Sequence, residues 1–369
     1  MTGKAQYPPL EQGVNKGLPK LDLSKNPYSW FEFLPAWLVY IPVVIYWILL
    51  SLRYRNFGLP MLANPRIELG GMIGESKSEI LEQAGAYAQQ YVLPWVLVTK
   101  NESDPDSLLE AVMESMRQSG IEFPLIAKPD LGCRGNNVQK CDDLQALRQY
   151  LERFPVGRSV ILQKLAPWGA EAGIFYIRWP GSARGLVTSL TLKYRPTVIG
   201  DGQRTVAQLI EQTPRAKRLS DLYFANNREL LNTVPQEGSE VALGFLGSHC
   251  KGSIFRDGCC WITEALSDAI DAVMQDFPDF HYGRLDVKFE SINSLTQGKS
   301  FCIIEVNGVS SEQTHIWDSR ARFRDALRVL FGQYKLLFAM GDALRKGGLK
   351  PPSARLMIKT WLRELRQAQ

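Results

Sequence analysis

Two stretches decide how this chain folds: GRLDVKF at residues 283–289 and FCIIEVN at residues 301–307. In an extended strand, side chains two apart share a face. Arg284, Asp286 and Lys288 therefore fall on one side, and Leu285, Val287 and Phe289 on the other. In the second stretch Glu305 and Asn307 share a face, and the polar Gln297-Gly298-Lys299 between the two suits a hairpin connection. Closing the hairpin sets Asp286 opposite Glu305 and Asn307. Three hard oxygen donors at one end suit Mg2+ bridging nucleotide phosphates; an ordinary solvent-facing polar edge shows the same alternation.

Upstream, short β-like runs (VLPWVLV at 92–98, FPLIA at 123–127, SVILQKL at 159–165) alternate with amphipathic helices over 106–117 and 142–154. This is α+β or α/β organisation. The sequence IGDGQRT at 199–205, followed by VAQLIEQ, reads as a hairpin leading into a helix. One strand ends in Lys128-Pro129 and runs into the loop Gly132-Cys133-Arg134-Gly135-Asn136-Asn137. Two glycines let backbone amides approach an anion, and Lys128 and Arg134 add positive charge, so the loop can cradle phosphate. No Gly-Lys-Ser/Thr closes it, so it is not a Walker A motif. Taken alone, a Gly-x-x-Gly turn beside a lysine is common.

In chain order, the Lys128-Pro glycine loop, the strand ILQKL, GRLDVKF and CIIEVNG together resemble the ATP-grasp superfamily, and most of all its D-alanyl-D-alanine ligase branch. The stretch VIGDGQRTVAQLI is similar to cyanophycin and glutathione synthetases. The similarity covers roughly residues 70–320. It implies ATP and Mg2+, and a reaction in which a carboxylate attacks the γ-phosphate, giving an acylphosphate from which an amine displaces phosphate.

The resemblance also implies roles by position. Lys77, in GESKSEILEQAG, matches a first phosphate lysine and Lys128 a second. Gly132, Arg134, Gly135 and Asn136 lie in the matching flap over the phosphates. Gln163, Lys164 and Leu165 match the hinge whose backbone pairs with adenine, and Glu171 the acid that bonds ribose. Asp286, Glu305 and Asn307 match the Mg2+ ligands, and Arg284 the arginine that stabilises charge at the acyl centre. Such cations act where anionic oxygens develop.

After Asn307 the chain departs from that branch. It reads Gly308-Val309-Ser310-Ser311-Glu312-Gln313-Thr314-His315, where a Pro-Gly loop and a serine are expected, and this puts D-alanine in doubt as substrate. Glu312 and His315 are candidates to contact the amine or act as base. His249 and Lys251, in the glycine-flanked GSHCKG run at 247–252, are candidates for the acceptor site; a solvated loop acid and a plain turn are the bland alternatives. Arg195 and Arg204 read more readily as surface residues than as phosphate contacts.

From Trp30 to Leu52 the chain carries one charge, Glu32, and from Ala36 to Leu52 none, with aromatic residues towards both ends. About twenty apolar residues suffice to cross a hydrocarbon layer of about 30 Å. The run is too long and too deep in the chain for a cleavable signal. Pro35 and Pro42 can kink it, and Lys16, Lys20 and Lys25 balance Arg53, Arg55 and Arg66, so a re-entrant helix competes with a span. A buried helix of a soluble protein is the third reading.

Composition excludes disorder, with 45% hydrophobic and 22% charged residues. Six cysteines without C-x-x-C pairs and only three histidines suggest neither a zinc site nor a disulfide framework. Of the net charge of +5, the last 25 residues carry +6, which disfavours nucleic acid and makes the basicity local. There a helix places Met357, Ile358, Trp361, Leu362 and Leu365 on one side and basic residues on another, as at an anionic membrane surface.

The expected organisation is a polar, solvated tail over 1–29, a membrane-embedded or re-entrant helix over 30–55, and a reduced N-terminal region over 56–120. An ATP-grasp domain over 121–320 and C-terminal helices over 321–369 complete it. The expected protein is a membrane-associated ligase on the cytoplasmic face, acting on small-molecule or lipid-linked carboxylates and amines; the organisation also admits a homodimer. An ATP-grasp phosphotransferase and a non-catalytic nucleotide-binding scaffold are the alternatives.

Overall fold

The structure, a computed structural model, describes residues 9–23, 27–101, 105–132, 135–245 and 247–368. An apolar helix, α1 (Ala36–Tyr54), and a short helix, α2 (Lys77–Leu81), lead into the first sheet. That sheet is antiparallel, with β1 (Trp95–Thr99), β2 (Leu125–Pro129), β3 (Gln139–Cys141) and β4 (Ser159–Lys164) in the order β1-β4-β2-β3. The helices α3 (Pro105–Gln118) and α4 (Leu144–Arg153) bury Leu109, Val112, Met116, Leu147 and Leu151 against it. Both helices match the amphipathic stretches of the sequence, and Asp143 caps α4 by accepting from the amide of Ala146.

The second sheet holds the decisive hairpin. Its strands β5 (Ala170–Ile177), β6 (Leu186–Tyr194), β9 (Ile254–Asp257), β10 (Tyr282–Phe289) and β11 (Phe301–Asn307) run in the order β11-β10-β5-β6-β9. Leu285, Val287 and Phe289 are fully buried with Ala172, Ile174, Leu190 and Leu192, in a core closed by the helix α8 (Glu264–Gln275). The opposite face of the same strands carries the charges. In the chain between β6 and β9, β7 (Thr197–Ile199) and β8 (Glu240–Ala242) pair beside the helices α5 (Val206–Gln212), α6 (Pro214–Lys217) and α7 (Ser220–Asn226). The turn at 199–205 does lead into a helix, through a capping box at Thr205, but β7 pairs with a strand some 40 residues on rather than with a local hairpin partner. A short helix, α9 (Ile292–Leu295), precedes Gly298 in the connection of the β10–β11 hairpin.

The chain ends in α10 (Phe323–Lys346) and α11 (Ala354–Ala368). Along α1, Val39, Val43 and Leu50 are buried, and the rings of Tyr46, Trp47 and Tyr54 pack tilted or edge-on against Phe331, Tyr334 and Phe338 of α10. The other side of α1 exposes Trp37, Ile41, Val44, Ile45, Ile48, Leu49 and Leu52. By length and composition α1 could cross a membrane, though one such helix is weak support for a span.

The expectation of a solvated tail over 1–29 is corrected for residues 9–23. Leu18 is 1% exposed in the main core, the Ile292 amide donates to the Gly17 carbonyl, and the Tyr194 hydroxyl donates to the Pro19 carbonyl. Gly17 has φ +93, and a Cβ there would lie 2.2 Å from the Glu290 carbonyl oxygen. The segment is held largely through its backbone, which leaves no hydrophobic period to read.

Candidate active site

Strand pairing builds the charged face row by row. Lys288 of β10 lies beside Glu171 of β5 and Lys193 of β6; the next row is Asp286, Gly173 and Thr191; the next is Arg284, Phe175 and Ser189. On the other side of β10, Asp286 faces Glu305 and Arg284 faces Asn307, as the sequence predicts. The register then skips Ile304. This bulge turns the Ile304 carbonyl towards the first sheet, where Lys128 Nζ of β2 donates to it at 2.8 Å.

Lys128 is buried, and its second acceptor is Gln163 Oε1 at 2.8 Å. Burial pushes its pKa down to about 8, against the opposing pull of Glu305. Lys77 opens α2, whose N-cap Ser76 is itself bonded to Asp130. Lys77 Nζ reaches the carbonyls of Asp130 (3.2 Å) and Gly132 (2.6 Å) and lies 3.8 Å from Glu305. The two lysines expected at phosphate therefore converge from separate segments on one stretch of β11, Lys77 at Glu305 and Lys128 at the Ile304 carbonyl. Gly132 adopts φ +142 and Gly135 φ +70, Asn136 is exposed, and Arg134 lies outside the described residues.

Asp286 is held by Arg284 Nε and by Lys193 Nζ, both at 2.9 Å. Burial alone would raise its pKa, but these two cations hold it well below the usual carboxylate range. Burial likewise opposes the charge of Lys193, and Asp286 and Glu171 outweigh it. Asn307 Nδ2 donates to the Arg284 carbonyl at 3.4 Å. Among the described residues no group of three or more His, Cys, Asp or Glu is arranged as a metal cage. Mg2+ held on phosphates needs only one or two protein carboxylates. Glu305 with Asp286 fits it in kind, provided Asp286 exchanges one of its cation contacts.

Four expected roles are placed differently. Glu171, expected at ribose, is 6% exposed and bonded to Lys193 (3.0 Å) and Lys288 (2.7 Å), so a ribose contact must displace a lysine. Gln163, expected to meet adenine through its backbone, lies in the ladder between Trp95 and Ile126, and its side chain serves Lys128. The Lys164 amide donates to Pro94, and Leu165 lies beyond the strand. His249, expected at the acceptor site, bonds Glu32 at 2.9 Å and packs among Phe33, Phe255 and Trp317; Arg215 holds the same Glu32 carboxylate. Its ring is spent on fastening the segment before α1. Lys251 shares the short turn His249–Lys251 and is not brought to the charged face by any described contact.

Glu312 and His315 do reach the site. The Glu312 carbonyl accepts from Arg284 Nη1 at 3.4 Å, and its carboxylate accepts from the hydroxyl of Tyr40 on α1. His315 Nδ1 lies 2.8 Å from Ser189 Oγ, and burial lowers its pKa. Arg195 is a tether, donating to the Val14 carbonyl, and Arg204 pairs with Asp201 at the surface.

Sequence reasoning misses Glu75, Lys193 and Tyr40. The Gly308 amide donates to Glu75 Oε2 at 2.7 Å, and burial raises the Glu75 pKa to about 7, with Glu305 adding to the rise. Lys193 had a signal, the alternation of Thr191 and Lys193 with Leu190, Leu192 and Tyr194. Tyr40 lies within the apolar run and gave none.

No family model matches the sequence, and neither does any curated protein. Solved structures do. A bifunctional glutathione synthetase from Pasteurella multocida is 16% identical, over 69% of this chain and 36% of that one, with a TM-score of 0.37. A D-Ala:D-Ser ligase from Enterococcus faecalis is 13% identical over 73% and 63%, at 0.40. A D-alanine–D-alanine ligase from Bacillus anthracis is 13% identical over 77% and 71%, also at 0.40. This chain thus spans little more than a third of the synthetase and under two thirds of the D-Ala:D-Ser ligase. At these identities and TM-scores the likeness assigns no role to this chain's residues, and the chemistry is read from the site itself.

Proposed function

We propose that the protein is an ATP-dependent carboxylate–amine ligase of the ATP-grasp kind, working at a membrane surface. The observation that carries this is the convergence of Lys77 and Lys128, from two separate segments, on Glu305 and the adjoining Ile304 carbonyl, with Asp286 and Arg284 on the neighbouring strand. Lys77 of α2 and Lys128 of the first sheet thereby face the carboxylates of the second. This is what transfer of a phosphoryl group between Mg2+ and fixed cations requires.

In this reading Lys77 and Lys128 neutralise the phosphate oxygens of ATP, and the γ-phosphoryl passes to the substrate carboxylate. Glu305 and Asp286 would hold Mg2+, which supplies charge neutralisation at the transferring phosphate. Arg284 stands one row from Asp286 and stabilises the tetrahedral oxyanion when the amine attacks the acylphosphate. His315 contacts Ser189, which lies across Phe175 from Arg284, two strand spacings or about 10 Å away. Its lowered pKa keeps it neutral at pH 7 and able to take the proton the amine releases. No protein nucleophile is needed.

Two surfaces support membrane attachment. α1 turns an apolar side outward while its flanks are fastened to the body, through Glu32 with Arg215 before it and Arg345 with the Tyr54 carbonyl at its end. α11 packs by polar groups, Thr360 and Arg363 on Glu68, and leaves Ile358, Trp361 and Leu362 exposed. A helix bound lengthwise to the catalytic body favours lying in the interface over spanning. The body then sits on the cytoplasmic side, where ATP is.

Replacing Asp286 or Glu305 by Ala should abolish ADP release in a screen of carboxylate and amine pairs on the membrane-bound protein. Undiminished turnover would sink the assignment. ADP formed with a phosphoester and no amine requirement would instead identify a phosphotransferase.

A further inference from the structure

Two basic stretches far apart in the chain meet at one edge of the fold. Arg53 and Arg55 end α1, while Lys350 follows α10 and Arg355 and Lys359 stand one turn apart on α11. The fold joins the two stretches at two points. Arg345 Nη1 donates to the Tyr54 carbonyl at 3.3 Å, 291 positions away, and Pro352 packs against Gly58, where a Cβ would lie 3.3 Å from its ring. Leu344 closes the same corner by packing into the cluster of Leu50, Leu59 and Phe338.

The cations at this edge are left uncompensated. The nearby carboxylates are already committed: Asp342 to Arg345 and Lys346, Glu68 to Arg363 and Thr360, and Glu364 to the Gly74 amide. Among the described residues no carboxylate pairs with Arg53, Arg55, Lys350, Arg355 or Lys359, and all five are exposed. Arg55 holds its place against its backbone preference. It closes α1 at φ +52 and ψ +35, the left-handed conformation in which glycine is the usual cap. Its amide bond to the Leu52 carbonyl needs no side chain. A charged side chain where glycine fits better points to a use for the charge outside the helix.

Apolar side chains are interleaved with the cations. Leu52, Phe57, Leu349 and Leu356 each lie one or two residues from one of them, and all four are exposed, Leu52 to 70%. An acidic peptide or a nucleic acid would satisfy the charges and leave these groups in water. A surface that is anionic outside and apolar just beneath satisfies both.

We propose that this edge docks on an anionic lipid bilayer, the cations meeting head-group phosphates and the interleaved apolar side chains entering the layer below. This rests on the membrane-surface reading, names the chemistry of that surface, and is independent of the ligase chemistry. Each basic residue held near an anionic leaflet strengthens binding about fivefold. The attraction decays over a Debye length, about 10 Å at 0.1 M salt.

The test is flotation of the full-length protein, diluted from a neutral detergent into preformed vesicles of phosphatidylcholine alone or with about 30% phosphatidylglycerol. At low salt, affinity for the anionic vesicles should exceed that for the neutral ones at least about a hundredfold, and about 0.5 M NaCl should remove most of the difference. Arg55→Gln combined with Lys350→Gln and Arg355→Gln should cost roughly a hundredfold on the anionic vesicles and little on the neutral ones. Arg55→Gly alone relieves the backbone and removes the charge, so the melting temperature should hold or rise while anionic binding falls about fivefold. A purely structural Arg55 would instead give a lower melting temperature and unchanged binding. Equal binding to both vesicles, or anionic binding that the combined variant keeps, overturns the proposal and leaves the membrane-surface reading standing. Absence of binding to either vesicle removes both. Displacement from the vesicles by millimolar inorganic phosphate, or equally tight capture by poly-glutamate, would assign the cations to a free anion or an acidic protein and also overturns it.

Discussion

The carboxyl of Glu75 is enclosed between the Gly308 amide and Gly71, close to Glu305, and its pKa rises from 4.5 to about 7. Between those values the folded chain holds a proton that the unfolded chain has released. The stability this group contributes is therefore present below about pH 4.5 and is lost as pH rises through 7. At about 1.36 kcal/mol per pH unit, the loss is at most about 3 kcal/mol. Glu75→Gln keeps an oxygen to accept from Gly308 and cannot ionise. Urea melts of the wild-type protein and this variant, in one detergent at pH 5 and pH 8, check the reasoning. The variant should match wild type at pH 5 to within about 1 kcal/mol and exceed it by about 2–3 kcal/mol at pH 8. Parallel stability profiles across that range would refute the burial argument, and with it the placement of Glu75 against the loop after β11.

Two further perturbations follow from the same face. Lys193→Met leaves Asp286 and Glu171 short of a shared, buried cation and should cost about 3–5 kcal/mol in urea melts; a loss under about 1 kcal/mol would show that Arg284 and Lys288 suffice. Lys128, with its pKa near 8, must be protonated to meet phosphate. ATP affinity measured calorimetrically should therefore fall as pH rises above 8, by up to about tenfold per unit, while Lys128→Arg should stay flat; a flat wild-type profile would contradict the phosphate role.

The decisive hairpin was legible because its two faces meet different surroundings. Leu285, Val287 and Phe289 alternate with Arg284, Asp286 and Lys288, and a period of two survives in the sequence whatever the loops do. α3 and α4 were legible for the same reason at helical period. What was lost was convergence. Glu305 pairs with Lys77 and feels the charges of Lys128 and Glu75, and nothing local to GESKSEIL distinguishes the carboxylate that the loop after β11 encloses from one in water. His249 read as a site residue because its turn is polar and glycine-flanked; only folding shows that Glu32, 217 positions away, claims it.

Glu32 also bears on how the apolar helix works. Read along the chain, it is a lone charge at the edge of a membrane segment, a cost to be tolerated. In the fold its side chain is 1% exposed and paired with Arg215, so removing either partner strands a buried charge at a cost of several kcal/mol. An apolar run free to insert would gain nothing from such a lock. A helix that must stay against α10, with Tyr40 reaching Glu312, does gain from it. The charge in the apolar run thus argues for a helix fixed in register with the charged sheet face, its outward apolar side left exposed.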